Sequence, residues 1–102
     1  LVLGIWECKE ELKGRVGQIL VHDDKVTASE DKVDNCEYPD MWGTMLFRKN
    51  MIRYIDSTLE HPGKQIKDWI SMGANIRAVR PGGQYMDIGT LRGLKRLYKE
   101  ME

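Results

Sequence analysis

The chain has no metal-binding or disulfide framework. Its two cysteines, Cys8 and Cys36, and its two histidines, His22 and His61, are scattered without C-x-x-C spacing, and zinc sites and disulfide scaffolds both need clustered ligands. An excess of one charge is missing too. The 16 basic residues balance 16 acidic ones, so bulk electrostatics give no ground for a nucleic-acid partner or an anionic membrane. No apolar run approaches the roughly 20 residues of a membrane-spanning helix. No signal peptide opens the chain, and with Cys8 reading as a small buried residue and Cys36 as a free thiol in a polar loop, a reducing, cytoplasmic setting is expected. Repeats, low-complexity segments and any clear Ser-His-Asp or Cys-His grouping are absent as well.

What is present is a chain of 102 residues, enough for one small domain or a piece of a larger one. Charge is unevenly spread along it. Residues 1–42 carry a net −5 and residues 43–102 a net +5; most of the later bases fall on expected helix faces, where solvation accounts for them. Leu1 to Trp6 begins inside an apolar run and predicts a buried strand, as if the chain continued upstream. Val16 to Val21 and Lys25 to Ser29 predict a hairpin across Asp23-Asp24, with His22 beside a solvated turn rather than in a metal cluster. A polar loop over Asp34 to Asp40 precedes a strand from Met41 to Phe47, where Gly43 marks a bulge or a close approach to the backbone.

Asn50 predicts the start of a helix through Met51, Ile52, Tyr54, Ile55 and Leu59, stopped near His61-Pro62-Gly63. A second helix carries Ile66, Trp69 and Ile70 and ends at Gly73. Asn75 to Val79 reads as a strand, Pro81-Gly82-Gly83 as a turn and Gln84 to Ile88 as a further strand. Thr90 caps a last helix with Leu91, Leu94, Leu97, Tyr98 and Met101 on one face. Trp6, Trp42 and Trp69 are read as core anchors. The order of elements describes a mixed α/β sheet with helices packed against it. In that arrangement Asp87 projects from a strand end into the crevice where ligands of open sheets bind.

Four segments taken together, Gly14-Arg15-Val16-Gly17-Gln18-Ile19, Asp31-Lys32, Trp42-Gly43-Thr44 and Tyr85-Met86-Asp87-Ile88-Gly89-Thr90, resemble the sugar-1-phosphate nucleotidyltransferases. The likeness implies a Rossmann-like nucleotide-diphospho-sugar transferase fold. Residues 1–102 would be a single partial domain, its C-terminal sugar-binding and metal-binding portion. The reaction implied joins a nucleoside triphosphate to a sugar 1-phosphate and releases pyrophosphate. By position, Asp87 resembles the family's second Mg2+-binding aspartate, and Gly17 the glycine beside the sugar. Asp31 and Lys32 stand where the family has Glu-Lys-Pro, the carboxylate accepting sugar hydroxyls and the amine meeting the phosphate, with Val33 in place of the proline. Gly43 matches the glycine lining the sugar pocket. Gln65-Ile66-Lys67-Asp68 follows the family's Glu-Ile-Thr-Asp only loosely.

The family's glycine-rich loop with its arginine and lysine, and its first metal aspartate, have no counterpart here. The expectation is therefore a portion inactive alone, completed by a missing N-terminal half or by self-association, with an exposed sheet edge at Leu1–Trp6. The chemistry would need no side-chain nucleophile. A sugar-phosphate oxygen attacks the α-phosphorus in line while Lys32 holds the anion and Asp87 a magnesium ion. A non-catalytic module that binds a phosphorylated sugar or a protein partner is the competing expectation.

Overall fold

The computed structural model describes residues 1–55, 62–86 and 89–101. Five strands build it: β1 (Val2–Glu7), β2 (Gly17–His22), β3 (Lys25–Asp31), β4 (Asp40–Leu46) and β5 (Arg77–Val79). Two α-helices follow the first four strands, α1 (Pro62–Ser71) between β4 and β5 and α2 (Leu91–Met101) at the end.

The β2–β3 hairpin forms as its pattern predicts. Asp23 and Asp24 both take positive φ, 49° and 60°, so the two-residue connection twists with its strands, and His22 pairs with Lys25 across it. β4 then inserts antiparallel between β1 and β2. β5 is the short element that changes the outcome. It lies parallel to β1 and antiparallel to β3, and backbone bonds from Val26 N to Ile76 O and from Ala78 N to Asp24 O, each 2.8 Å, tie it to the hairpin. The strand order β1-β4-β2-β3-β5 closes on itself as a barrel.

This overturns the expected Rossmann-like mixed sheet with flanking helices. That fold requires successive parallel strands joined by helical crossovers, whereas among the described residues one pair alone, β1–β5, is parallel. Register shifts at Gly4/Ile5 and Leu20/Val21 add the local bend and twist that closure needs. The exposed edge expected at Leu1–Trp6 is corrected over Val2–Gly4, where β1 pairs on both sides, with β4 and with β5; Ile5 and Trp6 pair with β4 alone among the described residues.

Inside the barrel Leu3, Ile5, Ile19, Val26, Ile76 and Ala78 meet Ile66 and Trp69 of α1, which packs across β3. The helix ends as its glycine predicts. Gly73, at φ +83°, lets Gly73 N donate to Ile70 O at 3.0 Å and Ala74 N to Trp69 O at 2.9 Å, the paired bonds of a Schellman cap. Thr90 caps α2, its Oγ1 accepting from Gly93 N at 3.1 Å. Two expected elements differ. Lys49–Tyr54 forms a 3-10 helix rather than the start of a longer α-helix, and Gln84 to Met86 carries no strand pairing. Asp87 and Ile88 lie outside the described residues.

Candidate functional site

A crevice of about 270 Å³ opens where β2 begins, β3 ends, β4 passes and α1 starts; Arg15, Gly17, Asp31, Lys32, Trp42, Gly43, Gly63 and Tyr85 are among the residues lining it. Gly17, Asp31, Lys32 and Gly43, separated by up to 26 positions in sequence, therefore share one concave surface. Topology explains the meeting. Gly17 pairs with Asp31 across the hairpin, and Gln18 pairs with Met41 across β2–β4, which draws the Trp42-Gly43 segment alongside.

The two glycines are occupied by rings. A Cβ at Gly17 would overlap the Trp42 indole nitrogen and lie 2.8 Å from its Cδ1, and one at Gly43 would lie 2.5 Å from Tyr85 Cε2 and 2.8 Å from Trp6 Cζ3. Contacts that short exclude any side chain. Trp6 and Tyr85 stack tilted with centroids 5.3 Å apart, and Trp6 Nε1 donates to Gly82 O at 3.3 Å. Of the three tryptophans expected as core anchors, Trp69 is one. Trp42 packs against that core while half-buried, and Trp6 is half-buried and not part of it; the glycine opposite Trp42 leaves room for its ring at the crevice.

Asp31 closes the crevice from β3. Its carboxylate lies against the first turn of α1, where a Cβ at Gly63 would come within 2.5 Å of Oδ1. Its other oxygen, Oδ2, is buried with no hydrogen-bond partner, and so is the Trp42 Nε1–H. An unmet buried donor or acceptor costs about 1–3 kcal/mol, and here one of each lies buried in residues that wall the same crevice. Lys32 follows at φ +56° and is exposed, as is Arg15; two cations thus stand at the rim beside one carboxylate.

Asp87, the expected magnesium ligand, lies outside the described residues. Among the described residues no group of three or more His, Cys, Asp and Glu is placed to hold a metal ion, and Asp31 is the one described carboxylate at the crevice. A single carboxylate holds magnesium only together with substrate phosphates. Gln65 is buried on α1, and Lys67 Nζ is bonded to Glu30 Oε1 at 2.8 Å, which raises the lysine pKa. Neither lines the crevice.

Arg15, Trp42 and Tyr85 join the site without having been singled out as binding residues, although all three sit inside the quoted segments. Their signal was adjacency: each lies within two residues of a candidate. A second concavity, about 550 Å³, is lined by Cys8, Lys13, Asp40 and Arg80 among others, and its buried carboxylate is already paired. Arg80 grips Asp40 through two bonds of 2.9 Å, which raises the arginine pKa. Burial pushes the Cys8 thiol up as well, against the pull of Lys13, so it stays protonated and a poor nucleophile.

No protein-family model, curated protein or solved structure matches the chain. Among the described residues no helix is long and apolar enough to cross a membrane.

Proposed function

We propose that the crevice binds a phosphorylated sugar, a sugar 1-phosphate, and that the chain serves the acceptor side of a nucleotidyl transfer that makes a nucleotide-diphosphate sugar. One observation carries the reading: Asp31 and Trp42 each hold an unpartnered polar atom, an acceptor and a donor, buried in the same walls as Arg15 and Lys32. A sugar hydroxyl both donates and accepts, and a phosphate needs cations at its edge. In this reading Asp31 Oδ2 accepts from sugar hydroxyls, the indole N–H donates to one, and Lys32 with Arg15 holds the phosphate. The rings of Trp42 and Tyr85 cover the apolar face of the sugar and exclude water.

Both orphan atoms are covered by the crevice walls, so binding requires the Trp42 indole to move off Gly17. The chain's own contribution to transfer is then alignment of the phosphate oxygen for in-line attack. Magnesium, held with Asp87 and the ligand phosphates, would add the positive charge that the transfer needs. The free thiols Cys8 and Cys36 support a cytoplasmic setting for this reading. The competing reading, a module that binds the sugar phosphate without turnover, is favoured by one feature: β5 takes up the outer edge of β1 over Val2–Gly4, which shortens the edge on which a nucleotide-binding half could extend the sheet.

Titration calorimetry with glucose 1-phosphate, glucose and inorganic phosphate tests the binding claim. The expected result is saturable binding of glucose 1-phosphate. Lys32→Met should weaken it about tenfold, the loss of roughly one charge-assisted hydrogen bond, and Asp31→Asn should weaken it too. Equal binding by wild type and Lys32→Met would remove the crevice from the account. Formation of a nucleotide sugar from added nucleoside triphosphates and magnesium separates the transfer reading from the binding module.

A further inference from the structure

Strand pairing brings the two thiols of the chain to one side of the barrel wall. Trp6 of β1 and Gln18 of β2 both pair with Met41, and directly paired residues point to the same side of a sheet. Cys8, two residues beyond Trp6, returns to that side by strand alternation. Its N–H donates to Pro39 O at 2.8 Å, which carries the β1–β4 ladder one residue further. From the other flank Gln18 projects to the same side, and its amide holds Cys36 O at 2.9 Å and Tyr38 O at 3.1 Å. The segment between Cys36 and Pro39 is thereby folded over the start of β4, toward Cys8. Burial raises the Cys8 thiol, Lys13 pulls it down and Cys36 adds to the rise, so the two sulfurs lie within electrostatic reach of each other. Both are free, and neither lines the sugar crevice.

We propose that Cys8 and Cys36 form a site of reversible oxidation, closing a disulfide when the chain meets a peroxide. Cys36 reacts first. It is half-buried, whereas Cys8 is 5% exposed, and access governs thiol oxidation. The Cys36 sulfur takes one oxygen from hydrogen peroxide and a water leaves, giving a sulfenic acid. The Cys8 sulfur then attacks the Cys36 sulfur, its proton goes to the departing hydroxide, and a second water leaves. Two thiols are oxidised, and one peroxide is reduced to two waters. A buried, protonated thiol is a poor nucleophile, yet beside its target the step is intramolecular and gains the large effective concentration of neighbouring groups. Cys8 is fixed by its ladder. The loop that carries Cys36, exposed from Lys32 to Asn35, is the part that adjusts to the ~5.5–6 Å Cα spacing of a disulfide. The bond is no scaffold, since the barrel closes with both thiols free.

Intact mass and peptide mapping of the full chain after one equivalent of hydrogen peroxide test this. The expected product is a single chain lighter by two hydrogens, with the Cys8 and Cys36 peptides joined and dithiothreitol releasing them. Because the bond closes a long loop, the thermal midpoint should rise by about 5 °C or more and fall back on reduction. Cys8→Ala, its fold checked by circular dichroism, removes the resolving thiol, so Cys36 should instead gain oxygen as a sulfenic or sulfinic acid. Cys36→Ser should leave Cys8 an unmodified thiol at the same dose. A wild-type product oxygenated at Cys36 with Cys8 still free would overturn the proposal. So would two intact thiols after treatment, or a disulfide that joins two chains.

Discussion

Gln18 is fully buried in a wall of apolar strands, yet every polar atom of its side chain is engaged. Gly14 N donates to its Oε1 at 2.9 Å, and its Nε2 donates to Cys36 O at 2.9 Å and to Tyr38 O at 3.1 Å. One amide thereby pins the loop that enters β2 and the loop that leaves β3, the two segments flanking the crevice. Replacing Gln18 by Leu keeps the volume and strands three backbone groups, so a loss of about 3 kcal/mol in urea unfolding is expected. A change below about 0.5 kcal/mol would mean that the loops hold themselves. The sequence hid this role, since a glutamine between Gly17 and Ile19 interrupts the apolar run without announcing what it holds. Gly43 was visible as an irregular strand position, and Gly17 through the resemblance alone. That each seats an aromatic ring from elsewhere was not, because nothing in a linear pattern says which ring lies opposite.

Among the elements, those governed by local rules were legible. The β2–β3 turn, the glycine end of α1 and the threonine cap of α2 each need only a few adjacent residues. Where neighbours from afar decide, the pattern misled. Lys49–Tyr54 is a 3-10 helix despite its helical spacing, and Tyr85, placed in a strand by its flanking apolar residues, instead packs on Trp6. The hairpin turn also stores strain. Aspartate in the left-handed region costs about 1 kcal/mol that glycine does not, so Asp24→Gly should raise stability by about 0.5–1 kcal/mol, read as a higher midpoint in thermal unfolding. A fall in midpoint would show that the Asp24 side chain contributes more than its backbone costs.

At the scale of the whole molecule the sequence named most of the strands and misjudged their assembly. Alternation and turn residues specify that strands exist, and a two-residue turn specifies that neighbours are antiparallel. Neither says that three residues, Arg77–Val79, will pair with both β1 and β3 and convert an open sheet into a barrel. Another long-range pairing gathers the crevice: β4 runs against β2 and draws Trp42 and Gly43 beside Gly17. Residues quoted for a resemblance to open-sheet enzymes thus converge on a different scaffold.

The claim at the centre is that this one concavity, and no other surface, receives a sugar phosphate by moving an indole off a glycine. Amide-resolved NMR during addition of glucose 1-phosphate tests it directly. The account predicts that the Trp42 indole N–H and the Gly17 and Gly43 amides shift together and saturate in a single step, while Asp24 and Gly73, remote from the crevice, stay in place. Shifts confined to the charged concavity around Arg80 and Asp40, or no movement of the Trp42 indole at saturating ligand, would contradict it.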